Sequence, residues 1–128
     1  NMNRLKSIMI NSPSQITDLS NNYDVIGIDE VQFFDHSIVK VCKTLAYKKK
    51  RVIAAGLDTD YLGQPFGPMP EMMCEADYLD KLRAICVLCG NPASYTQRTT
   101  CDKAQVVLGE LDKYEARCRS CFQLPKEI

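Results

Sequence analysis

Four cysteines fall in two CxxC pairs, Cys86-Val87-Leu88-Cys89 and Cys118-Arg119-Ser120-Cys121, with residues 90–117 between them. Each pair can close a tight turn that presents two thiolates, and two such turns supply the four ligands of a tetrahedral zinc ion. With protein sulfur at all four positions, no site is left for water or substrate, so this zinc is expected to be structural and not a Lewis acid. Thiol redox chemistry is the competing use of CxxC, but it draws on one reactive pair near a helix start. Here Cys89 runs into Gly90, Asn91 and Pro92, a turn-forming segment. Cys42, Cys74 and Cys101 stand singly and read as small buried apolar residues. The odd total of seven argues against a complete disulfide framework.

A second chemical feature is Asp29-Glu30, placed directly after the apolar stretch Val25, Ile26 and Ile28. An acidic residue at the end of a buried parallel strand is the Walker B arrangement, in which a carboxylate helps hold Mg²⁺ beside a nucleotide. Alone the pair is a weak signal, because acidic residues also serve helix entry. His36, the single histidine, follows Asp35 in an expected loop and reads as a polar side chain facing solvent, not as a catalytic one.

Elements must position these residues. Tyr23–Asp29 reads as a central parallel strand buried on both faces. Ser37–Lys50 carries Ile38, Val41, Cys42 and Leu45 at helical spacing, widened by Val39 and Ala46. It ends in Lys48, Lys49, Lys50 and Arg51, cations that suit a solvated helix C-terminus. Val52–Leu57 is a second apolar run, so strand, helix and strand form a right-handed parallel crossover. An earlier unit, Ser7–Ile10 then Ser14–Leu19, is expected to add an edge strand and a short helix. Asp58–Pro70 is rich in Gly, Pro and aromatics and reads as an irregular loop. A helix is expected over Glu71–Leu82, then short strands at Arg83–Cys86, Ala93–Arg98, Gln105–Leu108 and Tyr114–Arg117. The division is 1–82, a partial α/β core with the start of the loop, and 83–128, a small cysteine-bearing lobe.

Composition narrows the function. Hydrophobic residues at 45% and charged residues at 25% fit a packed globular chain and exclude a disordered one. Sixteen basic and sixteen acidic side chains cancel without a block of one sign, which counts against a nucleic-acid or anionic-membrane partner. No apolar run approaches the roughly 20 residues that span a bilayer, and the polar start lacks signal-peptide character, so the expected compartment is cytoplasmic.

Four segments occur in one order: IDEVQFF, AAGLDTDYLGQPFGPMPEM, AICVLCGNPASYTQR and DKYEARCRSC. Together they resemble the zinc-containing, type II thymidine kinase family over about Ser7–Cys121. The resemblance implies an α/β fold with a P-loop-kinase-like parallel sheet and helices, plus a small zinc-ribbon lobe and a lasso loop. It implies transfer of the ATP γ-phosphate to the 5′-hydroxyl of deoxythymidine, with Glu30 as the catalytic base and Asp29 as the Walker B acid that orients hydrated Mg²⁺. Gln32 and Phe33 then stand near the substrate. Leu57, Tyr61 and Phe66 match the lasso that closes over the nucleoside, and Thr96, Val107 and Tyr114 match residues that line the base pocket. Tyr61 stands where the family can have phenylalanine; it keeps the stacking face and adds a hydroxyl. Arg98 is read as a solvent-exposed strand arginine.

A P-loop kinase also needs a GxxxxGK[ST] turn to cradle phosphates, and none occurs in the 128 residues. The family carries that turn upstream of the segment matching Ser7, so the chain is expected to begin after it, with Asn1-Met2 resembling the remnant of an expression tag. By itself it is expected not to use ATP productively. A sheet without its P-loop strand exposes an edge or apolar face, and homo-oligomerisation, tetrameric in the family, is expected. The alternative function is a noncatalytic zinc-ribbon binding module, which the neutral charge and the adjoining lasso-like segment disfavour.

Overall fold

The computed structural model describes residues 3–99 and 113–124. Its N-terminal half is built on one parallel pair, β1 (Val25–Ile28) and β2 (Arg51–Ala54), with Val25 opposite Arg51 and Ile28 opposite Ala54. Helix α1 (Ser14–Leu19) precedes β1, and α2 (Ser37–Tyr47) makes the crossover between the strands. The ladder runs past β2: Ala55 N–H donates to Ile28 O at 2.9 Å, and Val31 N–H donates to Ala55 O at 3.0 Å. These two bonds set the polypeptide after β1 beside the polypeptide after β2, where a parallel sheet holds its ligands.

Of the apolar stripe expected on α2, Ile38, Val39, Cys42 and Leu45 are buried and Val41 half-buried, whereas Ala46 is exposed. The buried four pack with Ile16, Ile28, Val31 and Met69 in one core, of which Val31 and Ile38 are fully enclosed. At the end of α2, Lys49 takes a left-handed conformation (φ 65°), Lys49 N–H donates to Ala46 O at 2.9 Å, and Lys50 N–H donates to Leu45 O at 3.1 Å. This is a Schellman closure with lysine where glycine is usual. The basic run is therefore more than solvated charge, because the Lys50 ammonium donates to Ser20 O at 2.9 Å and Tyr23 O at 2.7 Å and ties α2 to the entry of β1.

Helix α3 (Met69–Glu75) contacts α2 and is shorter than the expected Glu71–Leu82, since Ala76 is already extended at ψ 131°. Two side-chain contacts join these helices: His36 Nδ1 lies 2.8 Å from Glu71 Oε1, and Lys43 Nζ forms an ion pair with Glu75 Oε1 at 3.1 Å. His36 is exposed, as expected of it.

Three further expectations require correction in this half. Ser7–Ile10 forms no strand, and no described strand pairs with the free edge of β1 or β2. The strand β1 is not buried on both faces: Ile26 and Ile28 face the helices, while Val25 is 55% and Ile53 of β2 51% exposed, because the described helices cover one side only. Cys74, on α3, is exposed and not a buried apolar residue, whereas Cys42 is buried as expected.

The described residues of the C-terminal part form two antiparallel pairs. β3 (Ala84–Ile85) pairs with β4 (Pro92–Ala93), and β5 (Tyr95–Arg98) pairs with β6 (Tyr114–Arg117) in the register Tyr95 opposite Arg117 and Arg98 opposite Tyr114. Among its described residues the apolar cluster is Cys86, Ala93 and Cys118, with Ala116 and Cys121 half-buried beside them. The expected strand Gln105–Leu108, with Val107, and the single Cys101 lie outside the described residues.

Candidate functional site

Past the end of β1 the backbone turns sharply. Glu30 sits in the left-handed region (φ 53°, ψ 43°), an uncommon conformation for a residue with a side chain and one that marks strained functional turns. Asp29 Oδ1 accepts the Glu30 N–H at 2.9 Å, which helps hold this turn. Both carboxylates remain exposed to a ligand. A short 3-10 turn, Val31–Phe33, follows and buries Val31 and Gln32.

Gln32 organises the acidic turn. Its Nε2 donates to Glu30 Oε2 at 2.5 Å, and its Oε1 accepts the Leu57 N–H at 3.1 Å. One buried amide therefore fixes the Glu30 carboxylate and tethers it to the segment after β2. Two glycines make room for it: a Cβ on Gly56 would stand 2.8 Å from Gln32 Oε1, and one on Gly67 (φ 51°) would stand 2.5 Å from Gln32 O. Beside it Phe33 and Phe66 pack edge to face at 5.7 Å, Phe33 half exposed and Phe66 buried.

Residues 58–66 form a closed loop. Phe66 N–H donates to Asp58 O at 3.0 Å, Asp60 N–H to Gln64 O at 2.9 Å, and Gly63 N–H to Asp60 O at 2.9 Å. The buried Asp60 carboxylate fills the centre, its Oδ1 accepting Leu62 N–H at 2.9 Å and Gln64 N–H at 3.1 Å. The loop rests on the β5–β6 pair through side chains. Arg98 Cζ lies 3.5 Å from the centre of the Tyr61 ring and 5.5 Å from that of Tyr114, and Arg98 Nη2 donates to the Tyr114 hydroxyl at 3.2 Å. The expectation of an exposed strand arginine is thus overturned: Arg98 is 6% exposed, covered by Tyr61 from a distant part of the chain. Thr96 precedes it by two residues on β5 and shares its face of the strand. On the other face, Gln97 exchanges two hydrogen bonds with the Gln123 backbone at 3.0 and 2.9 Å, and Tyr95 stacks on Phe122 at 4.6 Å.

The cysteine pairs converge. The sulfurs of Cys86, Cys89, Cys118 and Cys121 all lie within 4.8 Å of one another, and Cys89 Sγ is 3.5 Å from Cys118 Sγ. Four thiolates around one zinc stand ~3.8 Å apart, given zinc–sulfur bonds of about 2.3 Å in a tetrahedron, so the set fits such an ion. Local turns produce the geometry: Gly90, at φ 76°, donates its N–H to Cys86 O at 2.9 Å, and Cys121 N–H donates to Cys118 O at 3.1 Å. A backbone hydrogen bond from Cys118 pulls the Cys86 thiol down to about 6, and one from Cys121 lowers Cys118. The Cys118 side chain pushes Cys121 up, to about 12. Such crowded thiols cannot all ionise unaided, and a cation shared by the four sulfurs removes that conflict.

The sequence-selected residues thus form three groups. Glu30, Asp29, Gln32, Phe33, Leu57 and Phe66 gather at the strand end; Tyr61 and Tyr114 meet at Arg98, with Thr96 on the same face of β5; the cysteines form their own cluster. The backbone of the 58–66 loop links the first two groups. Two surface concavities, about 290 Å³ along α1 and about 430 Å³ between α2 and α3, are lined by none of these residues. Sequence reasoning missed Asp60 and Gly67 and misjudged Arg98. A short D-x-x-G step closing on a Pro-Phe-Gly turn was the available signal for the first two.

A parallel βαβ unit with an acidic strand end, joined to a lobe whose four cysteines could bind a metal, defines a mixed α/β protein. The chain belongs to the thymidine kinase family: the family model described as thymidine kinase matches residues 1–122. It is 52% identical over 124 residues to the thymidine kinase of Rhodothermus sp. (strain ITI 518), an alignment that covers 97% of this chain. The chain spans 58% of the length of that relative.

Proposed function

We propose that these residues form the nucleoside-binding and proton-accepting part of an enzyme that transfers the γ-phosphate of ATP to the 5′-hydroxyl of deoxythymidine, as in nucleoside salvage in the cytoplasm. The observation that carries this is the Gln32 bridge, which aims the Glu30 carboxylate from a strained turn at the end of β1 and ties it to Leu57 at the start of the loop. Glu30 accepts the proton of the 5′-hydroxyl as that oxygen attacks phosphorus. Asp29, one residue earlier, orients hydrated Mg²⁺, which when bound offsets the charge on the phosphates. Phe33, Leu57, Tyr61 and Phe66 give the nucleoside apolar and aromatic walls, and Thr96 and Tyr114 approach the base from β5 and β6. Val107 belongs to the same proposed pocket by resemblance.

Zinc on Cys86, Cys89, Cys118 and Cys121 is assigned a structural role, because the four sulfurs close its coordination shell. Two separate hydrophobic clusters support a division near residue 82 between a P-loop-kinase-like core and a zinc-ribbon lobe. Homo-oligomerisation belongs to the same reading.

The phosphate grip of a GxxxxGK[ST] turn is not among the 128 residues, so the test uses a polypeptide that carries a P-loop segment ahead of them. That polypeptide is expected to phosphorylate thymidine with ATP, and Glu30→Gln to lower kcat by about 10²–10⁴-fold at little cost in stability. Full activity in Glu30→Gln would dismiss Glu30 as the base. The 128-residue chain assayed alone is expected to be inactive, and ATP-dependent product from it would refute that expectation.

A further inference from the structure

We propose that Arg98 is a positioning residue that clamps the 58–66 loop onto the β5–β6 pair, so that the cysteine-bound lobe sets where Tyr61 stands. The inference rests on the nucleoside pocket proposed above and adds to it the group that holds the pocket's loop in place. Three observations carry it. The Arg98 guanidinium lies 3.5 Å over the Tyr61 ring, within stacking distance, and it is removed from solvent, where a cation–π contact is strongest. Its Nη2 also donates to the Tyr114 hydroxyl at 3.2 Å, so one side chain holds the loop aromatic to a residue on the neighbouring strand. Within the loop the Asp60 carboxylate holds the Leu62 and Gln64 amides, and next to it Gly63 faces the Tyr95 and Phe122 rings, which a Cβ at that position would meet at 3.4 Å.

Arginine suits this task better than lysine. A planar guanidinium can lie flat on one ring while its in-plane N–H groups reach a hydroxyl, whereas an ammonium makes only a point contact. The site therefore distinguishes the two cations, and a purely electrostatic role would not.

Hydrogen exchange on the zinc-loaded chain reads the clamp without any nucleoside. In Arg98→Met the amides of Asp60, Leu62, Gly63 and Gln64 are expected to exchange about tenfold faster, while zinc content and the Cys86, Gly90 and Cys121 amides stay as they were. Arg98→Lys should fall between Met and the parent. Unchanged exchange at residues 60–64 in a zinc-retaining Arg98→Met would overturn the clamp. If Arg98→Met loses its zinc, Tyr61→Leu removes the same contact from the loop side, and unchanged exchange there overturns the proposal equally. In the P-loop-bearing polypeptide, Arg98→Met should raise the KM for thymidine about tenfold and leave the KM for ATP unchanged. A loosened loop with an unchanged thymidine KM would uphold the clamp and overturn the assignment of Tyr61 to the nucleoside.

Discussion

Gln32 and the glycines around it show how one residue can hold the proposed chemistry in register. The Gln32 carbonyl oxygen of the main chain stands where a Cβ on Gly67 would intrude, and Gly67 already has a positive φ. Gly67→Ala thus combines left-handed strain with a clash against backbone, and is expected to cost about 2–4 kcal/mol in denaturant unfolding. At Gly56 the intruding methyl meets mainly the ends of the Gln32 and Met69 side chains, which can move, so Gly56→Ala should cost less. The reverse order of the two variants would show that the loop backbone, and not the side chains, yields at this point. Such close approaches are not legible in sequence. IDEVQFF announces an acidic strand end, but the partner of Gln32 lies 25 residues away, at Leu57, and only the folded ladder brings it near.

Elements governed by local rules were the legible ones. Ser14–Leu19 and Tyr114–Arg117 form with the boundaries their patterns imply, and α2 buries most of the stripe read from its spacing. Ser7–Ile10 fails because its apolar residues reflect no period of its own, and a strand needs a neighbour that no local pattern specifies. Arg98 was misplaced for a related reason: strand alternation assigns it a face, but its burial comes from Tyr61, which the chain returns from the loop. The end of α2 offers a test of local physics. Lys49 holds a left-handed C-cap without the freedom of glycine, so Lys49→Gly is expected to raise stability by about 1 kcal/mol. An unchanged or lower denaturation midpoint would mean that the Lys49 side chain contributes more than its backbone conformation costs.

At the scale of the whole molecule the two halves are stabilised by different means. The N-terminal half has a conventional core, Ile16, Ile28, Val31, Ile38, Leu45 and their neighbours, whereas among the described residues the buried apolar cluster of the C-terminal part is two cysteines and an alanine. So small an apolar cluster does little to offset the ordering of the described strands around it, and a metal held by the four sulfurs would supply the difference. Chelation should therefore unfold β3–β6 while the α2 amides stay protected, giving two transitions in place of one. Tyr61 rests on Arg98, so loss of the lobe should also free the 58–66 loop and weaken thymidine binding in the P-loop-bearing polypeptide. Cys86→Ser should reproduce the effect of the chelator, since Cys86 is the most enclosed of the four ligands. A zinc-free protein whose loop amides and thymidine affinity matched those of the loaded one would break this chain of dependence at its first link, and leave the cysteine cluster without a part in the nucleoside site.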